Sequence, residues 1–487
     1  MKLNPQYLLL LLFGATLIVG CGDDDEGTEP GMVDACSPVV TAECTETQVV
    51  TESLNFEDED GNLTPYDNIT IQDRGEGTGT VTWSSDNTYE LNGLVFVNEG
   101  QTLTIEPGTV IKGQGGQGER ASALVVARGG RIEACGTADN PIIFTSVSDN
   151  TVSTPSGVQT SGGLGEGANG LWGGVIILGS ASTNTVPVEQ AIEGIPTNEP
   201  RGAYGGSDDD DNSGTFKYVS IRHGGTDIGA GNEINGLTMG GVGSGTTIEY
   251  VEVFANKDDG FEWFGGTVNS RYLVSAYNKD DAFDYDQGWR GNNQFWITFQ
   301  QNGGDRGGEH DGGTSPEDGE PFAIPVISNA TYVGQGSDVD ERLLTFRDNA
   351  GGKYFNSIFS GYNKGVDIEY LASSAQDSYQ QFLDGNLEFT NNTLFDIAGD
   401  AFVLGGDDDQ APAGAADALT TYFQNNANTT ATDPTLTGVI PSTNVGSTMD
   451  LDDDFFEDVD YRGAVEPGTS PDDAWYAGWT RLATEIE

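Results

Sequence analysis

Apolar and polar positions along the chain follow a strand-and-turn rhythm. Short runs of Val, Ile, Thr, Phe and Tyr are punctuated by Gly, Asn and Asp, and no long stretch carries apolar residues at a 3.6-residue spacing. A repeating order begins near Leu91. Leu94-Val95-Phe96-Val97 leads to Gly100, then to Leu103-Thr104-Ile105, Pro107-Gly108 and Val110-Ile111. The order returns as Leu124-Val125-Val126, Gly129-Gly130, Ile132-Glu133-Ala134, Gly136-Thr137 and Ile142-Ile143-Phe144. Each cycle holds three short strands separated by turns. That is one coil of a parallel β-helix, with the next coil about 4.8 Å along the axis.

The repeat is sharpest in the middle of the chain. Asn256-Lys257-Asp258-Asp259-Gly260-Phe261-Glu262 matches Asn278-Lys279-Asp280-Asp281-Ala282-Phe283-Asp284 at an offset of 22 residues (278 − 256), and Leu273-Val274 matches Phe295-Trp296 at the same offset. The fold class predicted is all-β, a parallel β-helix running over residues 91–405. A solenoid leaves a row of unpaired backbone groups at each end. Residues 51–90 are the expected N-terminal β cap. Residues 406–487 are the expected C-terminal cap, with Trp475, Tyr476 and Trp479 folding back onto the last coil.

Composition adds a location and a charge problem. The 487 residues include 77 Asp and Glu against 20 Lys and Arg, a formal net charge of −57. Such a surface repels phosphate backbones, which excludes nucleic acid as a partner. The acidity reads either as solubility or as divalent-cation binding. The N-terminus has an apolar run, Leu8 to Val19, too short for a comfortable bilayer span. It ends in Ile18-Val19-Gly20-Cys21, which resembles a lipobox. Residues 1–20 are therefore the expected lipoprotein signal peptide, and Cys21 the expected site of lipidation by palmitate-type acyl chains. At about 0.8 kcal/mol per buried CH₂, several such chains make a lasting anchor. Residues 21–50 form the expected acidic tether, starting with Gly22-Asp23-Asp24-Asp25-Glu26. Within it Cys36 and Cys44 are spaced to close a small disulfide loop in an oxidising compartment.

Three stretches carry a family resemblance: Thr104-Ile105-Glu106-Pro107-Gly108-Thr109-Val110-Ile111-Lys112-Gly113, Gly136-Thr137-Ala138-Asp139-Asn140-Pro141-Ile142-Ile143-Phe144-Thr145-Ser146 and Leu171-Trp172-Gly173-Gly174. They resemble a group of bacterial surface β-helix lipoproteins common in Bacteroidota, over roughly residues 90–400. The resemblance implies a right-handed coil and a surface location, and no defined activity. The acidic stretch after Cys21 also resembles the export signal of Bacteroidota surface lipoproteins, which implies an outer-membrane protein facing the cell exterior.

Stacked coils put Asp258 over Asp280 and Asp259 over Asp281. Carboxylates about 4.8 Å apart repel by roughly 1 kcal/mol in water and about 3–4 kcal/mol at an effective dielectric of 20. Two arrangements answer that cost. One is an Asn/Asp ladder, Asn256 over Asn278, with Asp side chains capping turn amides. The other is Ca²⁺ held by Asp258, Asp259, Asp280 and Asp281, since that ion takes six to eight oxygen ligands in irregular geometry. Aromatic residues gather beside these aspartates. If Trp263 and Trp289 point outward, they form with Glu262, Asp284 and Arg290 a platform for sugar rings. The function expected is a surface binding or adhesion module for glycan or an outer-membrane partner protein. One alternative is a polysaccharide lyase or glycoside hydrolase using Asp258, Asp259, Asp280, Asp281 and Arg290. The other is a structural envelope spacer.

Overall fold

A computed structural model describes residues 48–486 apart from 59, 230, 231, 302 and 375. Cys21, the signal peptide, nearly all of the tether and the Cys36/Cys44 pair lie outside the described residues.

The coils stack as the repeat predicts. Ten strands form one parallel sheet, from Leu94–Val97 at the N-terminal end to Phe402–Gly406 at the other. Phe261 pairs with Phe283 and Glu262 with Asp284, the 22-residue offset read from the sequence. Eighteen further strands form a second sheet that is almost entirely parallel, and among the described residues four two-stranded pairs lie outside both. The chain is thus an all-β parallel β-helix.

The 18-stranded sheet is creased. In the long strands Gly214–Arg222, Thr247–Phe254, Asn269–Ala276 and Asn292–Phe299, pairing is interrupted at Tyr218, Tyr250, Tyr272 and Phe295. These four residues have φ between 50° and 61°. A left-handed backbone costs an L-residue about 1–2 kcal/mol, and here the four rings stack on one another at centroid distances of 4.3, 4.3 and 4.9 Å. Later coils place Asn329, Asn356 and Asn391 between consecutive paired strands, also at positive φ. Asn tolerates that conformation better than most residues. The crease also corrects one alignment. Leu273 pairs with Trp296, not Phe295, because this coil is one residue longer.

Inside the coils, alternate residues build an aromatic stack. Phe261, Trp263, Phe283, Trp289 and Trp296 are fully buried, with Trp263 to Trp289 at 4.4 Å and Phe283 to Trp296 at 4.2 Å. Trp289 also donates its indole N–H to the Val268 carbonyl at 3.2 Å.

Parallel stacking already begins within the segment read as a cap, where Asp67–Ile71 pairs with Asn87–Leu91. An antiparallel partner, Gln48–Glu57, lies against Leu63–Gln72. At the other end the helix Ala415–Asn425 buries Leu419 and Phe423, and Phe423 stacks on Phe402 at 4.0 Å. The final segment does not cover the last coil. It runs back along the crease, touching coils in reverse order. Asn391 donates to the Ser447 carbonyl at 3.0 Å, Asn356 to the Met449 carbonyl at 2.8 Å, and Gln294 to the Glu457 carbonyl at 2.8 Å. The chain then doubles forward, where Arg462 donates to the Asn392 carbonyl at 2.8 Å, before it turns back again. Trp475 and Trp479 then meet Tyr272 and Tyr218 edge-on at 5.1 and 5.6 Å. Stacked rings expose their edges to a partner, which is why the tail's tryptophans pack at mid-solenoid.

Candidate functional site

Where two successive turns enter the ten-stranded sheet, carboxylates pile up. Turn residues Asp258 and Asp259 precede the strand Phe261–Gly266, and Asp280 and Asp281 precede Phe283–Asp286. On those strands the residues alternating with the aromatic core point out, so Glu262, Asp284 and Glu309 form one register column. Glu193, Glu233 and Asp305 join them from the loops. The result is an open groove of about 420 Å³ with ten carboxylates, Asn235, and two guanidinium groups, Arg306 and Arg347. Among the described residues no apolar side chain lines it.

The ladder holds the turns in register. Asn278 Oδ1 accepts from the Asn256 amide at 2.8 Å, and Asp259 Oδ1 accepts from the Asp281 amide at 2.8 Å. Asn256 returns a bond to the Asp259 carbonyl at 2.8 Å. Both ladder asparagines are fully buried. These bonds take one oxygen of Asp259 and leave the charge uncompensated.

Counter-charge is partial. Arg306 Nη1 reaches Asp305 at 2.6 Å, Glu309 at 2.9 Å and Asp281 at 3.3 Å. Arg347 holds Asp311 at 2.7 Å and Glu309 at 2.8 Å. Lys257 pairs with Glu233. Asp258, Asp259, Glu262 and Asp284 form no ion pair among the described residues. Burial, and after it the neighbouring carboxylates, push Asp259, Glu262, Asp281 and Asp284 well above the ordinary carboxylate range. Asp258 is pushed up to about 7, by burial first and then by Glu193 and Asp280. A shift in this direction means that burial and the neighbouring carboxylates disfavour the ionised form.

Three carboxylate triads in the groove bring ligand oxygens within 4.8 Å of one another: Asp258/Asp259/Asp280, Asp259/Glu262/Asp284, and Asp280/Asp281/Asp305. Asp281 is only 3 % exposed, and its Oδ1 has no hydrogen-bond partner. Asp284 Oδ1 is likewise buried without one. Hard oxygens in clusters, unpartnered and converging, are the donor set of a hard cation such as Ca²⁺.

The four stacked aspartates, Glu262 and Asp284 therefore meet in one place. The other sequence candidates do not. Trp263 and Trp289 are 0 % exposed and belong to the core stack, so these two form no outward platform. Glu262 and Trp263 are adjacent on a strand and must point to opposite faces. Arg290 sits beyond the opposite end of these strands. It bonds Asp209 and Ser182 Oγ at 2.7 Å each and the Gly288 carbonyl at 3.1 Å. Sequence reasoning missed Arg306, Arg347, Glu309, Glu193 and Glu233, which arrive from irregular coils and loops without a repeat spacing. Neither histidine enters the groove. His310 is buried against Tyr285 at 4.1 Å and bonds the Tyr354 hydroxyl at 2.7 Å.

Comparison with curated proteins finds no match. The family described as pectate-lyase-like β-helix domain matches residues 75–480, which takes in every coil that builds the groove. With a match over more than four-fifths of its length, this chain belongs to the pectate-lyase-like β-helix domain family.

Proposed function

We propose that the protein is a surface-displayed, lipid-anchored binding module whose acidic groove takes Ca²⁺ and, through it, glycan or an envelope partner. The observation that carries this reading is the convergence of the stacked carboxylates, with Asp281 and Asp284 oxygens buried and unpartnered. Without a cation, the groove presents like charges a few ångströms apart. A divalent ion bridging two coils would lower that repulsion and leave coordination positions for ligand oxygens. The β-helix family supplies a scaffold related to polysaccharides, which supports a glycan as ligand. The lipid anchor rests on the Ile18-Val19-Gly20-Cys21 sequence.

Calorimetric titration of Ca²⁺ into EDTA-stripped protein tests the cation, and a glycan array with and without EDTA tests the ligand. The expected result is Ca²⁺ binding and EDTA-sensitive glycan capture. Absence of Ca²⁺ binding would remove the metal, and an array blank in both conditions would remove the carbohydrate.

One observation favours a second reading, lyase or hydrolase chemistry in the same groove. Asp258, with its pKa at about 7, is placed to exchange protons near neutral pH. Release of unsaturated or reducing sugar ends from a polysaccharide panel, abolished in Asp258→Asn, would select this reading over simple binding.

A further inference from the structure

A second cavity, of about 480 Å³, lies apart from the acidic groove. Its walls are the hairpin Val152–Thr154/Gly157–Gln159, the corner at Arg222-His223 and the returning tail at Gly478–Thr484. Cavities of about 300–1,000 Å³ are the size that holds small ligands.

Its chemistry departs from the rest of the molecule. In a chain with nearly four acidic residues for each basic one, most arginines are ion-paired: Arg201, Arg290, Arg306, Arg342 and Arg347 all touch a carboxylate at 3.3 Å or less. Arg222 forms no ion pair among the described residues. Its Nε donates to Ser220 Oγ at 2.7 Å, and its Nη atoms have no protein acceptor among those residues. The nearest carboxylates are committed elsewhere. Glu252 accepts from the Arg481 and Leu482 amides at 2.7 and 2.8 Å. Asp149 accepts from Thr145 and Thr151 hydroxyls at 2.9 and 2.8 Å. A guanidinium with its outer nitrogens unused is a fork for a planar oxyanion.

His223 adds a complementary group. Its Nδ1 lies 2.6 Å from the Ala168 carbonyl, which accepts only, so Nδ1 carries the proton. Burial keeps the ring neutral, with its pKa down to about 4. Nε2 then presents a lone pair. Asp149 Oδ2, at 3.9 Å, is too far to bond it and has no proton to give. That nitrogen accepts from a hydroxyl.

We propose that this cavity binds a small hydroxylated monocarboxylate, with the carboxylate on Arg222 and a hydroxyl donating to His223 Nε2. A dianion such as phosphate fits less well, because Glu252 and Asp149, whose charges act on the guanidinium, repel a second negative charge.

Glucuronate is a suitable probe, with glucose as its neutral counterpart and inorganic phosphate as the dianion. Calorimetry on the full-length chain in detergent should show glucuronate binding, no glucose binding, and phosphate at least tenfold weaker. Arg222→Gln should weaken glucuronate at least tenfold. Ser156→Trp, a substitution in an exposed turn of the hairpin, should do the same by blocking the mouth without disturbing the buried corner. Each should leave Ca²⁺ binding at the acidic groove unchanged. No glucuronate binding to the unmodified chain, binding that survives both substitutions, or phosphate bound as tightly would overturn the proposal. These outcomes are independent of whether the acidic groove binds Ca²⁺.

Discussion

Two edges of the same coils stack the same way and with opposite consequences. At the crease, Tyr218, Tyr250, Tyr272 and Phe295 place ring on ring at 4.3 to 4.9 Å, and the C-terminal segment covers them. At the acidic edge, Asp258 and Asp259 stack on Asp280 and Asp281, and none of the described residues covers the groove between them. The crease turns repetition into cohesion, since offset aromatic pairs gain roughly 0.5–1.5 kcal/mol beyond burial. The acidic edge turns the same repetition into repulsion. A solenoid that merely needed a corner could repeat the asparagine ladder alone. Keeping four aspartates beside that ladder costs stability at this edge, a cost that the proposed Ca²⁺ site would offset.

The comparison can be broken most forcefully at the crease. Tyr250 is sandwiched between two rings and meets Trp479 at 6.3 Å. Tyr250→Ala removes two stacked pairs and the tail's foothold, and should destabilise by about 2–3 kcal/mol. Chemical denaturation measures this directly. A loss below about 0.5 kcal/mol would mean that the stack merely fills space.

The acidic edge should respond with the opposite sign. Asp259→Asn keeps an oxygen for the Asp281 amide and removes one buried charge. In EDTA it should stabilise the protein by about 1–3 kcal/mol, the scale of one close carboxylate repulsion. With Ca²⁺ present the ranking should reverse, because the variant binds the ion at least tenfold more weakly. Destabilisation in both conditions would assign Asp259 a purely structural role.

A pH series sharpens the same point. Asp258 has a folded pKa raised from 3.8 to about 7. A carboxyl raised on folding binds its proton more tightly in the folded state. Its contribution is therefore intact at low pH and is lost as pH rises from about 4 through about 7. The difference in stability between the native chain and Asp258→Asn, both in EDTA, should widen across that window in favour of the variant. Saturating Ca²⁺ should flatten it. A difference that stays constant from pH 4 to 8 would remove the raised pKa.

How much of this was legible in the sequence depends on whether a residue belongs to the repeat. The offset of 22 residues put Asn256 next to Asn278 and Asp259 next to Asp281 along the stack, because a parallel stack translates sequence period into vertical contact. Strand parity was equally available. Glu262 and Trp263 cannot share a face, so the outward platform was excluded by the alternation that predicted the strands. Arg306 and Arg347 were not legible. They sit in coils lengthened by insertions, where no spacing announces that Arg347 will align with Asp311. The tail's route along the crease was hidden too, since its partners, Tyr218, Tyr250 and Tyr272, are defined by φ near 50–60°, a property that side-chain pattern does not reveal.

The smallest expected effect serves as the control. Arg290 stood among the sequence candidates for the groove, yet its guanidinium pairs with Asp209, whose side chain is 50 % exposed. Ion pairs open to solvent contribute about 0–1 kcal/mol, because water screens the attraction and two long side chains lose freedom. Arg290→Ala also releases bonds to Ser182 Oγ and two backbone carbonyls, which places the loss toward the upper end of that range. Since none of these contacts reaches the aspartate stack, Ca²⁺ affinity in the variant should stay within twofold of the native chain. A tenfold change would mean that the two ends of the ten-stranded sheet are coupled through its strands, and the contrast between a cohesive edge and a repulsive one would no longer be local.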